Sequence, residues 1–383
     1  MLSSTALINA KLIVYDTIIE DKILLFDNKI IDIVDDVILS DSDDIQIIDA
    51  KGAYVSAGFI DLHIHGSGGA DVMDATPEAL NTLSTILPQT GTTSFLATTM
   101  TMSTQAIDNA LQNIRNYGSN VTGAKIVGVH LEGPFINVSK HGAQDKNYVQ
   151  TANFSLIQDY MDIVKMITLA PEVSGAENFV KQMTKKYPQV VLSLGHSDAS
   201  YDEAIKSFKW GISHVTHLFN AMPSYHHRKP GVVGAVFHTD VTCDIIADLV
   251  HTHPSTLELV QSIKKDKLML ITDAIRAGCM KCGTYDLGGR TVEVSEGKAL
   301  LYDGTLAGSV LKMNEAMANM LEHTSMSRAE IVASVTKRPA QKLGLKKGEL
   351  KKGYDADIVI FDEDFSIITT IINGEVKYRC SDF

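Results

Sequence analysis

Cysteine is scarce in this chain: 383 residues include only Cys243, Cys279, Cys282 and Cys380, a usage that suits a reducing cytosol. Cys279 and Cys282 form a C-x-x-C. No second pair accompanies it and glycines surround it, so by itself it carries no metal or redox assignment. Long apolar runs are also missing. None approaches the roughly 20 residues of a spanning helix, which argues against a membrane protein. The opening MLSSTALINA lacks the basic and apolar regions of a secretory signal, and a cytoplasmic location is expected. Positive charge is in deficit as well. A net charge of −12 excludes the basic footprint of a nucleic-acid binder. A small anionic substrate stays open, because local cationic side chains can override the overall field. No internal repeat or low-complexity segment is present.

What is present is a regular alternation of apolar runs with helical patterns. From FIDLHIH the runs continue through TTSFLATT, KIVGVHLE, MITLAPE, VVLSLGH, HVTHLF and CDIIADLV to LMLITDA. Helical patterns lie between them, near 77–90, 103–117, 153–164, 174–187, 201–210 and 255–265. Strands separated by helices predict a parallel sheet, and eight of them predict closure into an α/β (β/α)8 barrel of the TIM type. Such a barrel occupies about 250 residues, so residues 56–344 are assigned to it. The flanking segments 1–55 and 345–383 hold short β-rich stretches, LINAKLIVYD, DKILLFDNKIIDI and ADIVIFDEDFSIITTIINGEVKYR. Asn373-Gly374 in the last is a hairpin signal. Neither end has enough strands to bury a core alone, so the two are expected to pair into one small β-sandwich.

Five of the eight predicted strands end in a residue with chemistry: His63 and His65, Glu132, His196, His217 and Asp273. Singly, each has a bland reading. A His-x-His pair is common in structural roles, Glu132 could be a solvated loop carboxylate, His196 could precede a helix, and His217 could be packed. Asp273 is harder to dismiss, since an aspartate seldom follows a buried strand without a charged partner. Coincidence decides the matter. The mouth of a parallel barrel is where such folds keep catalytic groups, and imidazoles with carboxylates are ligand types for zinc or iron. Period-two alternation puts both rings of His63 and His65 on one face. The same alternation points His214 away from His217, which favours packing, whereas His130 shares the face of Glu132 but lies deeper.

These motifs carry a resemblance. FIDLHIHG, HLEGPF, LGHS, THLFNAM, ITDA and AGSxL together resemble the amidohydrolase superfamily. Within it they resemble the branch that deacetylates N-acetylglucosamine 6-phosphate, over nearly the whole chain. The resemblance implies a divalent metal, zinc or iron, at one or two sites per subunit. Glu132, His196 and His217 would be ligands, and His63 with His65 would hold a second ion that Glu132 bridges. Asp273 would act as general base and acid. Gln144, Asn220, Ala221, Leu306, Ala307 and Gly308 would contact substrate, and Arg228 with His251 would read the phosphate, in a pocket completed across a homodimer. The segment TDAIRAGCMKCGTYDLGG resembles a lid over the site.

Three rivals remain. A dihydroorotase or hydantoinase places a carboxylated lysine at a strand end, and no strand end here carries one. The galacto epimer of the substrate differs by one hydroxyl and stays open. A non-enzymatic scaffold would have lost its ligands, and this chain keeps them all.

Overall fold

The computed structural model describes residues 4–35 and 45–381. The expected small-domain segments 1–55 and 345–383 are therefore described only within that range. Its largest sheet has eight parallel strands: β1 Phe59–Ile64, β2 Thr92–Thr99, β3 Lys125–Glu132, β4 Val164–Leu169, β5 Val191–Leu194, β6 His214–Val215, β7 Thr242–Ile246 and β8 Leu268–Ile271. Each pairs with its neighbour in chain order. The ring closes at its upper rim, where Asp273 N–H donates to His63 C=O (2.9 Å) and His65 N–H donates to Ala274 C=O (2.9 Å). The strands are buried on both faces, with Phe59, Leu62, Phe95, Leu131, Ile167, Leu194, Ile245 and Leu270 in one continuous core. Helix-covered parallel sheets require such unbroken apolar runs.

Helices pack outside the ring: α1 Pro77–Ile86, α2 Thr104–Tyr117, α3 Ala176–Lys186, α4 Tyr201–Trp210, α5 Gly231–His238 and α6 Pro254–Lys264. After β8 come α7 Met313–His323, α8 Arg328–Val335 and α9 Lys337–Leu343. Their starts follow the capping signals of the sequence. Thr76 accepts the Ala79 N–H ahead of α1, and Ser200 with Glu203 forms a capping box at α4. After α1 the chain turns through Gly91, whose φ of 77° suits glycine. A Cβ there would lie 2.4 Å from the Phe59 ring.

One expected helix is absent. Between β3 and β4 the segment near 153–164 forms only two single 3₁₀ turns, Phe154–Leu156 and Gln158–Tyr160. The side chain of Asn153 accepts both the N–H and the hydroxyl of Ser155 (3.0 Å each). That local competitor of helix hydrogen bonding holds the turn, while Ile157 and Tyr160 still bury at helical spacing. The apolar GVVGAVF, which gave no helical signal, is α5. The glycine-rich segment after β8 is an antiparallel sheet of three strands, Gly283–Leu287, Arg290–Ser295 and Lys298–Leu301.

Two further sheets come from the chain ends. One contains Thr5–Ile8, Lys22–Phe26, Ile30–Asp35 and Gln46–Asp49, and the other joins Lys11–Val14, Thr17–Ile19 and Tyr54–Ala57 to Ile358–Phe361, Ile367–Ile372 and Glu375–Arg379. The ends meet where Ile358–Phe361 pairs antiparallel with Tyr54–Ala57. Leu7, Leu12, Leu24, Phe26, Val55, Ile358, Ile360 and Ile371 form a shared core between the sheets. Asn373 and Gly374 both have positive φ, 56° and 81°, as a type I′ hairpin requires.

Candidate metal and catalytic centre

The rim of the barrel gathers the six residues that end its strands. Glu132 is the last residue of β3, and His65, His196, His217 and Asp273 follow β1, β5, β6 and β8 within two residues. His196, His217 and Asp273 have positive φ, 50°, 34° and 50°. Non-glycine residues rarely adopt that region, and such strain collects at functional sites. Here the turns bend the chain over the rim and aim three side chains inward. This is also why β6 is only two residues long rather than the full HVTHLF run.

The side chains converge on the Glu132 carboxylate. Its Oε1 lies 3.0 Å from Nε2 of His196 and 3.0 Å from Nε2 of His217. His63 Nε2 is 3.4 Å from Oε1, and His65 Nε2 is 3.3 Å from Oε2. Asp273 Oδ1 stands 3.4 Å from Nε2 of both His63 and His65. Two overlapping triads result, His63–His65–Glu132 and Glu132–His196–His217, each with its donor atoms within 4.8 Å.

These residues fit a divalent metal on three grounds. First, the tautomers suit it. Nδ1 of His65 faces Thr98 C=O (3.2 Å) and Nδ1 of His196 faces Lys140 C=O (2.9 Å). A carbonyl only accepts, so each Nδ1 carries hydrogen and leaves the inward Nε2 as a ligand atom. Second, the Nε2 atoms stand 3.1 Å apart in His63 and His65 and 3.2 Å apart in His196 and His217. Lone pairs that close repel unless positive charge lies between them. A tetrahedron with corners ~2.05 Å from its centre has an edge of ~3.3 Å, the spacing seen among these donors. Third, both carboxylates of the cluster are held ionised. Burial opposes ionisation of Glu132, yet His63 and His196 hold its carboxyl well below the usual range. Against the same penalty, His63 and His65 draw Asp273 down to about 2. Reciprocally, and again against burial, Glu132 raises His217 to about 9, and Asp273 with Glu132 raises His65 well above its ordinary value.

The other expected site residues divide. Gln144, Asn220, Ala221, His251, Leu306 and Gly308 line a cavity of about 210 Å³ together with His65, Glu132, His196, His217 and Asp273. Ala307 is fully buried behind that wall. His63 is completely enclosed beneath the cluster. Arg228 lies outside the wall, exposed, with Nη1 2.6 Å from Nε2 of the neighbouring His227. His251 is held by Asp248, Nδ1 to Oδ2, at 2.7 Å. Gly308 has φ 56°, and a Cβ there would lie 2.8 Å from Asp273 C=O, so glycine is needed beside the aspartate. Cys279 and Cys282 line a separate cavity.

Sequence reasoning missed the apolar wall and the supports. Met100, Ile275 and Leu287 line the cavity, and Leu287 arrives on the three-stranded sheet after β8. His214 does more than pack. Its Nε2 lies 2.8 Å from Asp244 Oδ2, and the other oxygen of Asp244 accepts the N–H of His217. Asp61 accepts the hydroxyl of Thr272 (2.6 Å) and the N–H of His63 (3.2 Å). His130 packs edge-on to His63, with centroids 4.7 Å apart. Its Nδ1–H donates to Leu62 C=O (3.0 Å), and its Nε2 accepts from the Thr168 hydroxyl (2.6 Å). A signal for Asp244 existed, since an aspartate inside the apolar run CDIIADLV needs a buried partner.

Known proteins agree with this architecture. A model of the amidohydrolase family matches residues 54–377. The N-acetylglucosamine-6-phosphate deacetylase of Bacillus subtilis (strain 168) is 41% identical over 333 residues, covering 84% of this chain and 84% of its own. The crystal structure of N-acetylglucosamine-6-phosphate deacetylase from Pasteurella multocida superposes with a TM-score of 0.92 at 31% identity, over 97% of this chain and 99% of that one. A mutant of the Mycobacterium smegmatis deacetylase in complex with N-acetyl-D-glucosamine-6-phosphate superposes with a TM-score of 0.90 at 27% identity, over 98% and 99%. The match spans the barrel and every strand end of the cluster, and the chain belongs to the amidohydrolase family.

Proposed function

We propose that this protein hydrolyses the acetamide of N-acetyl-D-glucosamine 6-phosphate, giving D-glucosamine 6-phosphate and acetate. The observation that carries the reading is the convergence of four imidazoles and two carboxylates on one point of the barrel rim. It is supported by full-length similarity to deacetylases of that name.

His63, His65, Glu132, His196 and His217 would hold one or two divalent ions, zinc or iron. Such an ion polarises the substrate carbonyl and lowers the pKa of water toward neutrality. Asp273 is the residue that moves protons. Its carboxylate, ionised because two imidazoles face it, accepts the proton of the attacking water at Oδ1. It then returns that proton to the departing nitrogen, since an amide nitrogen leaves poorly unless protonated. Asn220, Ala221, Leu306 and Gly308 place the sugar from the cavity wall, with Ala307 supporting them from behind.

The phosphate would be read by Arg228 and His251. His251 lines the cavity, whereas Arg228 is exposed outside it, which supports a phosphate site completed by a second copy in a homodimer. Arginine presents a planar fork suited to phosphate oxygens. All four cysteines are free, in keeping with a cytoplasmic setting. Among the described residues no helix is long and apolar enough to cross a membrane.

The test is acetate release from N-acetylglucosamine 6-phosphate, beside the unphosphorylated sugar and the galacto 6-phosphate. Preferred turnover of the phosphorylated gluco substrate is expected. A metal-replete protein that releases no acetate from it would refute the assignment.

A further inference from the structure

Gln144 lines the cavity, but its side chain is already committed. It is 3% exposed. Its Oε1 accepts the N–H of Thr101 (2.8 Å), and because that N–H can only donate, the amide orientation follows. The NH2 end therefore points at the cluster and donates to Glu132 Oε2 (2.7 Å). Its Nε2 is also 3.5 Å from His196 Nε2. The backbone is held as firmly: Gln144 N–H donates to His141 C=O (3.0 Å), and His141 Nδ1 returns to Gln144 C=O (2.8 Å). Arg290, on the sheet that follows β8, clamps the same loop by donating to Ala143 C=O (3.0 Å).

The two oxygens of Glu132 are supported unequally. Oε1 sits between His196 and His217, at 3.0 Å from each. Oε2 has a single imidazole neighbour, His65 at 3.3 Å, and Gln144. The Gln144 amide supplies Oε2 with its hydrogen bond, while Oε1 is held among the imidazoles. We infer that Gln144 is a positioning residue: by holding Oε2 of Glu132 it sets how firmly an ion is kept on the His63–His65 side of the cluster. The other triad depends on it less.

This inference rests on the metal reading above and deepens it. The wild type should hold two ions per subunit. Gln144→Met preserves length and fills the same space without a donor, and Gln144→Asn keeps an amide too short to span Thr101 and Glu132. Metal content would be counted after equilibration against a graded chelator, with thermal melting as the control for folding. In both variants one ion should be released at roughly tenfold to a hundredfold lower chelator strength. The other should stay as tightly bound as in wild type, a selective loss that general loosening of the fold would not produce. Equal retention of both ions in folded variants, or equal weakening of both, would overturn the inference while leaving the hydrolase reading intact. A wild type that binds a single ion would overturn it too, and one that binds none would overturn the metal reading itself.

Discussion

At the scale of single residues the site is a set of strained or buried groups, each with a nameable restraint. Asp244 restrains His217, whose φ of 34° is costly for a β-branch-free but bulky side chain. Asp244→Asn should weaken metal retention about tenfold to a hundredfold, read by metal content after dialysis. Gly308 permits the close approach of its loop to Asp273. Gly308→Ala should cost about 1–3 kcal/mol of stability, because a Cβ at positive φ is strained and here also meets the Asp273 carbonyl. A thermal melt would show the loss. Cys243 gives a chemical check on the interior: burial pushes its thiol up to about 12. Native protein should therefore alkylate at exposed Cys282 while Cys243 stays unmodified until unfolding, as mass mapping would reveal.

At the scale of elements, caps and turns decide what the residues can do. α8 begins with a capping box in which Ser327 accepts the Glu330 N–H and the Glu330 carboxylate accepts the Ser327 N–H. Ser327→Ala should lower stability by about 1 kcal/mol with kcat unchanged, since α8 takes no part in the rim. Such signals made most elements legible: the barrel strands read as unbroken apolar runs, and α1, α2, α3, α4 and α6 read by periodicity and caps. The segment at 153–164 deceived, because Ile157 and Tyr160 keep helical spacing while Asn153 diverts the backbone. The sheet at 283–301 was legible only as a glycine-rich segment, its strands being short and half-exposed. The six strand-end residues were visible because chemistry at five strand ends is improbable by chance. Met100, Ile275 and Leu287 were invisible, since an apolar residue facing a cavity looks like one facing a core.

At the scale of the whole molecule, a charge network joins the barrel to the terminal sheets. Lys347 lies 2.9 Å from Asp355 and also pairs with Asp357, while Lys29, from the amino-terminal sheet, pairs with Asp355. Lys125, which begins β3, approaches Asp355 at 3.5 Å. Burial works against the charge on Asp355, but Lys29 and Lys347 depress its pKa, and Asp357 and Asp355 raise that of Lys347. A depressed carboxylate stabilises above its ordinary pKa of about 3.9, and that contribution fades as pH falls through the lower folded value. A raised lysine stabilises below about 10.4, with loss as pH rises through the higher folded value. Lys347→Met should therefore destabilise most between those limits, by about 3 kcal/mol because Asp357 is left buried with less compensation. It should also flatten the fall in stability at both extremes, as urea unfolding across pH would record. In the proposed function the barrel rim would hold metal with five side chains and move protons with a sixth. The most direct measurement is the rate of acetate release from N-acetylglucosamine 6-phosphate by wild type and Asp273→Asn, with metal counted in the same samples. A fall in kcat of about 10² to 10⁴ with metal content unchanged is predicted. Wild-type turnover by metal-loaded Asp273→Asn would contradict it.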